Sequence, residues 1–150
     1  MHDVETKTPI SFNKSYSSKG TTLMCLKGIT DVINKNYPDS EKQVLLLTPY
    51  GFIKGDLHDN NDDTEKLLSK TDDDKYCLDL SVVTRYKKDA LENAEKENGS
   101  NISVVGDGST LNLKNVTVYK DDLRNPVLNI DQLIVFADQV ISFSLVPKDL

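Results

Sequence analysis

His58 is the side chain best placed by its neighbours to do chemistry. Asp56, Asp59, Asp62 and Asp63 crowd around it in the run DLHDNNDD, and a histidine among carboxylates is one way to hold a divalent ion. A calcium loop starting at Asp59 would place Asp59, Asn61 and Asp63 at its first, third and fifth positions. It would then need a turn glycine where Thr64 stands and a bidentate glutamate where Lys70 stands. The expectation is a solvated acidic loop, with a metal-dependent enzyme centred on His58 as an outlying alternative.

The other reactive residue types lack partners. Nucleophilic catalysis needs a base beside the nucleophile, and the chain has only two histidines, His2 and His58. Cys25 and Cys77 have no CxxC spacing and each sits in an apolar pattern, so both are expected to be reduced core thiols. Gly106-Asp107-Gly108 lacks the third glycine and the following Lys-Ser/Thr of a phosphate loop, and is expected to turn a hairpin. Asp121, Asp122 and Arg124 are expected to be solvated charge. No catalytic residue, metal or cofactor is assigned, and enzyme activity is not expected.

The elements that position these residues follow from periodicity and turn chemistry. Residues 1–20 show no periodicity and are expected to form a mobile arm. Leu23, Leu26, Ile29 and Val32 or Ile33 recur at helical spacing, and Pro38 ends that helix. QVLLLT and residues 52–57, joined through Pro49-Tyr50-Gly51, predict a hairpin. Residues 58–75 predict a polar surface excursion with one helical turn near 65–68. Val82, Val83, Tyr86, Ala90, Leu91 and Ala94 predict a helical face, with Asp79 or Ser81 as N-cap and Asn98-Gly99 as stop.

Ile102 to Val105 would then lead through the GDG turn into the strand that starts at Leu111. In that strand the apolar parity slips between Leu113 and Val116, which requires a bulge at Lys114-Asn115. Residues 133–136 and 140–146 predict a closing strand pair joined at Ala137-Asp138-Gln139. The expected fold class is α+β: a small, strongly bent, five-stranded SH3-like barrel with an N-terminal helix and a helical insertion over about 58–108. Residues 21–150 would form one domain.

Composition narrows the partners. Between positions 56 and 74 stand eight acids and two lysines, and that excess of six equals the net charge of −6 for the whole chain. The remainder is close to neutral, without the basic patch that drives DNA binding. No run is apolar enough for a signal peptide or a bilayer span. A soluble, cytoplasmic protein with no membrane partner is expected.

Three segments in order resemble the Sm-like family of small barrels. VLLLTPYGFIKGDL is similar to the family's first motif, with Gly51, Gly55 and Leu57 in the Gly, Gly and apolar places. LNLKNV resembles its Asn-bearing third strand, with Asn112 at the Asn position. VFADQVISF resembles its second motif, with Ala137 and Asp138 at the small-acidic pair. The resemblance implies a ring formed by pairing the fourth strand of one subunit with the fifth of the next. Val135 and Ile141 would lie on those edges.

It also implies single-stranded RNA as a partner, through Asn112 and Asp138. The family's Arg-Gly is Phe136-Ala137 here, so the cation that would meet phosphate or stack on a base is missing. The leading expectation is therefore a non-catalytic, self-associating module, with RNA binding as the alternative.

Overall fold

The computed structural model describes residues 17–59, 68–70, 72–99 and 108–150. The first helix, α1 (Ser18–Asn36), starts where the Ser17 hydroxyl accepts from the Gly20 amide at 2.8 Å. That cap carries the helix three residues into the stretch expected to be a mobile arm. It stops at Tyr37, before Pro38. Leu23, Leu26 and Thr30 are buried and Ile33 is half-buried, whereas Ile29 and Val32 face outward. The expected face holds at Leu23, Leu26 and Ile33 and fails at Ile29, because Thr30 stands on the buried stripe in its place. Its hydroxyl bonds back to the Leu26 carbonyl at 2.8 Å, which makes burial affordable.

Strands β1 (Lys42–Leu47) and β2 (Phe52–His58) form the predicted hairpin. Its turn is closed by paired backbone bonds between Thr48 and Gly51. After β2 come β3 (Leu68–Lys70) and β4 (Tyr76–Leu78), a separate two-stranded sheet, and α2 (Val83–Asn98). Asp79 accepts from the Ser81 amide and hydroxyl, capping the short 3-10 turn Leu80–Val82 that leads into α2. Gly99, with φ of 68°, ends α2 in a positive-φ conformation that glycine tolerates.

Ile102 to Val105, Gly106 and Asp107 lie outside the described residues. So do Asn61, Asp62, Asp63 and the expected turn at 65–68, except Leu68, which opens β3.

Strand β5 (Thr110–Tyr119) pairs with β2, and the predicted bulge is present. Lys54 faces Thr117 and Asp56 faces Lys114, so three steps on β5 match two on β2. Asn115 absorbs the extra residue at φ of 52°. Strand β6 (Pro126–Phe136) runs longer than expected, starting seven residues before Leu133. Strand β7 is Ser142–Pro147.

The five long strands form one antiparallel sheet in the order β6-β5-β2-β1-β7. The expected closing pair is therefore corrected: β6 and β7 do not pair with each other but form opposite edges. Among the described residues the sheet combines with two α-helices, as an α+β fold, and is not closed into a barrel. A single 3-10 turn, Ala137–Gln139, carries the chain from one edge toward the other. Ala137 and Val140 plug the core at that crossing.

The core gathers Leu23 and Leu26 of α1 with Val44, Leu46, Ile53, Leu111, Leu113, Val116, Val118 and Val135. The cysteines are not part of it. Cys25 is exposed and Cys77 half-buried, and they form no disulfide with each other. Cys25 shares the outward stripe of α1 with Ile29 and Val32. Among the described residues, no helix is long and apolar enough to cross a membrane.

Candidate functional site

Residues that face each other across an antiparallel sheet share a face. Leu57, Leu113 and Leu133 are in register and point inward. Their neighbours then form two polar rows on the outer face: Asp56–Lys114–Gln132, and His58–Asn112–Ile134. The bulge at Asn115 sets this alternation, because it resets the inward parity from Val116 and Val118 to Leu113 and Leu111.

The Asp56 carboxylate accepts from Gln43 Nε2 at 3.2 Å and from Asn115 Nδ2 at 2.9 Å. Asp56 therefore lies in β2, within the strand predicted over residues 52–57, and is held by two amides rather than left to solvent. Beside it, the insertion crosses the sheet. The Gln132 carboxamide donates to the Leu78 carbonyl and accepts from the Leu80 amide, as a strand backbone would. A cleft of about 220 Å³ lies along this crossing, lined by Cys77, Leu78, Asp79, Lys114, Asn115, Asp131 and Gln132.

A second hollow, about 110 Å³, opens at the end of the His58–Asn112 row, where Met24 and Lys27 of α1 meet Leu57, Asp59, Thr110 and Leu111. His58 Nδ1 lies 2.9 Å from the Asp59 carbonyl oxygen. A carbonyl can only accept, so Nδ1 carries the proton and Nε2 presents its lone pair. Burial, then the Lys114 charge, push the imidazole below its ordinary pKa, against the opposing pull of the Asp59 carbonyl and of the Asp79 and Asp59 charges. It is a neutral base at pH 7. The Lys27 ammonium pairs with Asp31 at 2.5 Å and Asp59 at 3.6 Å, and its pKa is raised, chiefly by Asp31. Its charge is thus largely spent within the site.

The expected site residues separate. Asn112 lines the small hollow next to His58 and is only 4% exposed. Asp138 is not among the residues lining either hollow; it sits exposed on the 3-10 turn, its carbonyl accepting from Lys19 Nζ at 3.2 Å. Ile141 is 65% exposed immediately before β7. Val135 lies on the edge strand β6, but its side chain faces Leu111 in the core at 7% exposure. It is a core residue and not an edge contact. Lys114 and Gln132 were not singled out as site residues in the sequence, and Asp79 was read only as an N-cap, although the parity slip at Lys114-Asn115 already implied that Lys114 turns outward.

One neutral imidazole, amide edges and internally paired charges make a surface suited to hydrogen bonding. Among the described residues no group of three His, Cys, Asp or Glu side chains is placed to hold a metal ion. No protein-family model, curated protein or solved structure matches the chain.

Proposed function

We propose that this chain is a non-catalytic assembly module whose copies join head-to-tail, the β6 edge of one against the β7 edge of the next. The observation that carries this reading is the strand order, which among the described residues leaves β6 and β7 as the two edges of the five-stranded sheet. Both edges bear exposed large apolar side chains: Val127, Leu128 and Phe136 on β6, Phe143 on β7 and Ile141 just before it. One cross-sheet row, Leu128–Val118–Ile53–Leu46–Phe143, is buried in its middle and exposed only at its two ends. A neighbouring copy at each edge would cover both ends and satisfy edge amides that otherwise invite aggregation.

The same order supports a bent, Sm-like small barrel. An N-terminal helix precedes five long strands, and the fourth and fifth of these stand at the edges, as the resemblance implies for ring assembly. Light scattering behind size-exclusion chromatography tests the reading. The parent should run as a closed oligomer, and Ile141→Lys or Phe143→Lys should yield folded monomers. A parent that is monomeric at every concentration refutes it.

A second reading, single-stranded RNA binding, is favoured by one observation: Asn112 and His58 share a hollow that opens between α1 and the sheet. Titration of short U-rich and A-rich RNA at low salt, where electrostatic affinity is greatest, tests it. Absence of binding there disposes of it.

A further inference from the structure

The insertion between β2 and β5 turns apolar side chains outward. Leu68, Tyr76, Leu78, Leu80, Val83 and Tyr86 are between 38% and 70% exposed. Leu68 faces Leu78 across the β3–β4 pair, and Tyr76 lies two residues from Leu78, so these three share one side of the small sheet. Val83 and Tyr86, on the first turn of α2, are exposed as well. That helix has no buried residue. Ser81 and Val82 are the insertion's buried residues among those described. This differs from the sequence expectation, in which Val82, Val83, Tyr86 and Ala90 shared one inward face.

A monomer seldom leaves such a surface open without use. Its position says what would use it. Gln132, in the middle of β6, bonds to the backbone of Leu78 and Leu80, and the 3-10 turn that follows packs on β6. The patch therefore lies beside the edge to which a second copy would bring β7.

Area gives an independent reason. β7 has six residues, so edge pairing extends over about 20 Å, with a sheet about 10 Å thick. A strip of that size buries on the order of 200–400 Å² per partner, against about 800 Å² in a stable, specific interface. Strand pairing alone falls short by half or more.

We infer that the insertion is a second contact arm for the neighbouring copy, its Tyr76–Tyr86 apolar surface packing on the subunit whose β7 lies against β6. The inference rests on the edge-pairing reading. The arm supplies the apolar area that the short strand contact lacks. Gln132 holds it at the angle where one neighbour meets both surfaces.

Sedimentation velocity over a concentration series of the full chain tests this with two sets of variants. Tyr76→Ser with Tyr86→Ser should weaken association at least tenfold, with the far-ultraviolet circular dichroism unchanged. Ile141→Lys should abolish association. If the double variant associates as the parent does while Ile141→Lys dissociates, the arm is refuted and edge pairing stands. If the double variant associates more tightly, the insertion shields β6, and the arm is likewise refuted. A parent that is monomeric throughout overturns both readings. Should the double variant lose its fold, Tyr76→Ser alone carries the same expectation, because that side chain is the most exposed of the six.

Discussion

Two glycine-to-alanine substitutions should move stability in opposite directions. At Gly51, an added Cβ would lie 2.2 Å from the Tyr119 carbonyl oxygen and 2.9 Å from that of Lys120. Both obstacles are backbone, and Tyr119 is held between Phe52 on β2 and Pro126 on β6. Neither can rotate aside, so the turn or the end of β5 must shift. Overpacking of this kind costs about 1–3 kcal/mol where side chains can give way, so Gly51→Ala should lose about 3 kcal/mol or more. At Gly28, in exposed mid-α1, the Cβ would meet nothing within 4 Å. Alanine there should gain about 0.8–1 kcal/mol of helix propensity.

For a chain of this size each kcal/mol moves the melting temperature by about 2–4 °C. Gly51→Ala should therefore melt about 6–12 °C below the parent, and Gly28→Ala about 2–4 °C above it. Thermal melts followed by circular dichroism must be run at one protein concentration, because association would itself raise the transition. A Gly51→Ala variant that melts within 2 °C of the parent would refute the close approach of the β1–β2 turn to β5.

Other expectations follow from single contacts. Leu113→Ala, at a fully buried position shared by β2, β5 and β6, should cost about 3 kcal/mol in urea unfolding. Because the folded-state pKa of His58 is lowered, the unfolded chain takes up a proton there first as pH falls below about 6.5. Stability should then decline on acidification through that window, and His58→Gln should flatten this part of the pH profile. Gln132→Ala removes both carboxamide bonds to residues 78 and 80, so hydrogen exchange over 78–82 should quicken while the amides of β1 stay protected. Iodoacetamide should alkylate the exposed Cys25 of the native protein faster than the half-buried Cys77.

Local chemistry determined much of this protein. QVLLLT, the Pro-Tyr-Gly turn and the strand after it are β-branched or apolar runs around a turn former, and they pair as a hairpin wherever the chain places them. The apolar parity slip at Lys114-Asn115 could be met only by a bulge, and Asn115 supplies it. Asn98-Gly99 ended α2 for an equally local reason. Misreadings arose where the deciding partner is distant in sequence. The buried stripe of α1 includes Thr30 because an intrahelical hydrogen bond satisfies its hydroxyl, which a count of apolar residues does not register.

Only the tertiary structure decided that β6 and β7 take opposite edges. Periodicity reports which face of a strand is apolar, but not which neighbour it finds across the chain. For the same reason Val135 and Ile141, both apolar and six residues apart, look alike in the sequence, yet one fills the core and the other faces solvent. The polar rows that bring His58 beside Asn112 and Lys114 beside Gln132 depend on the register between β2, β5 and β6. That register is set by core packing of Leu57, Leu113 and Leu133 on the opposite face, so the site was legible only after the sheet had formed.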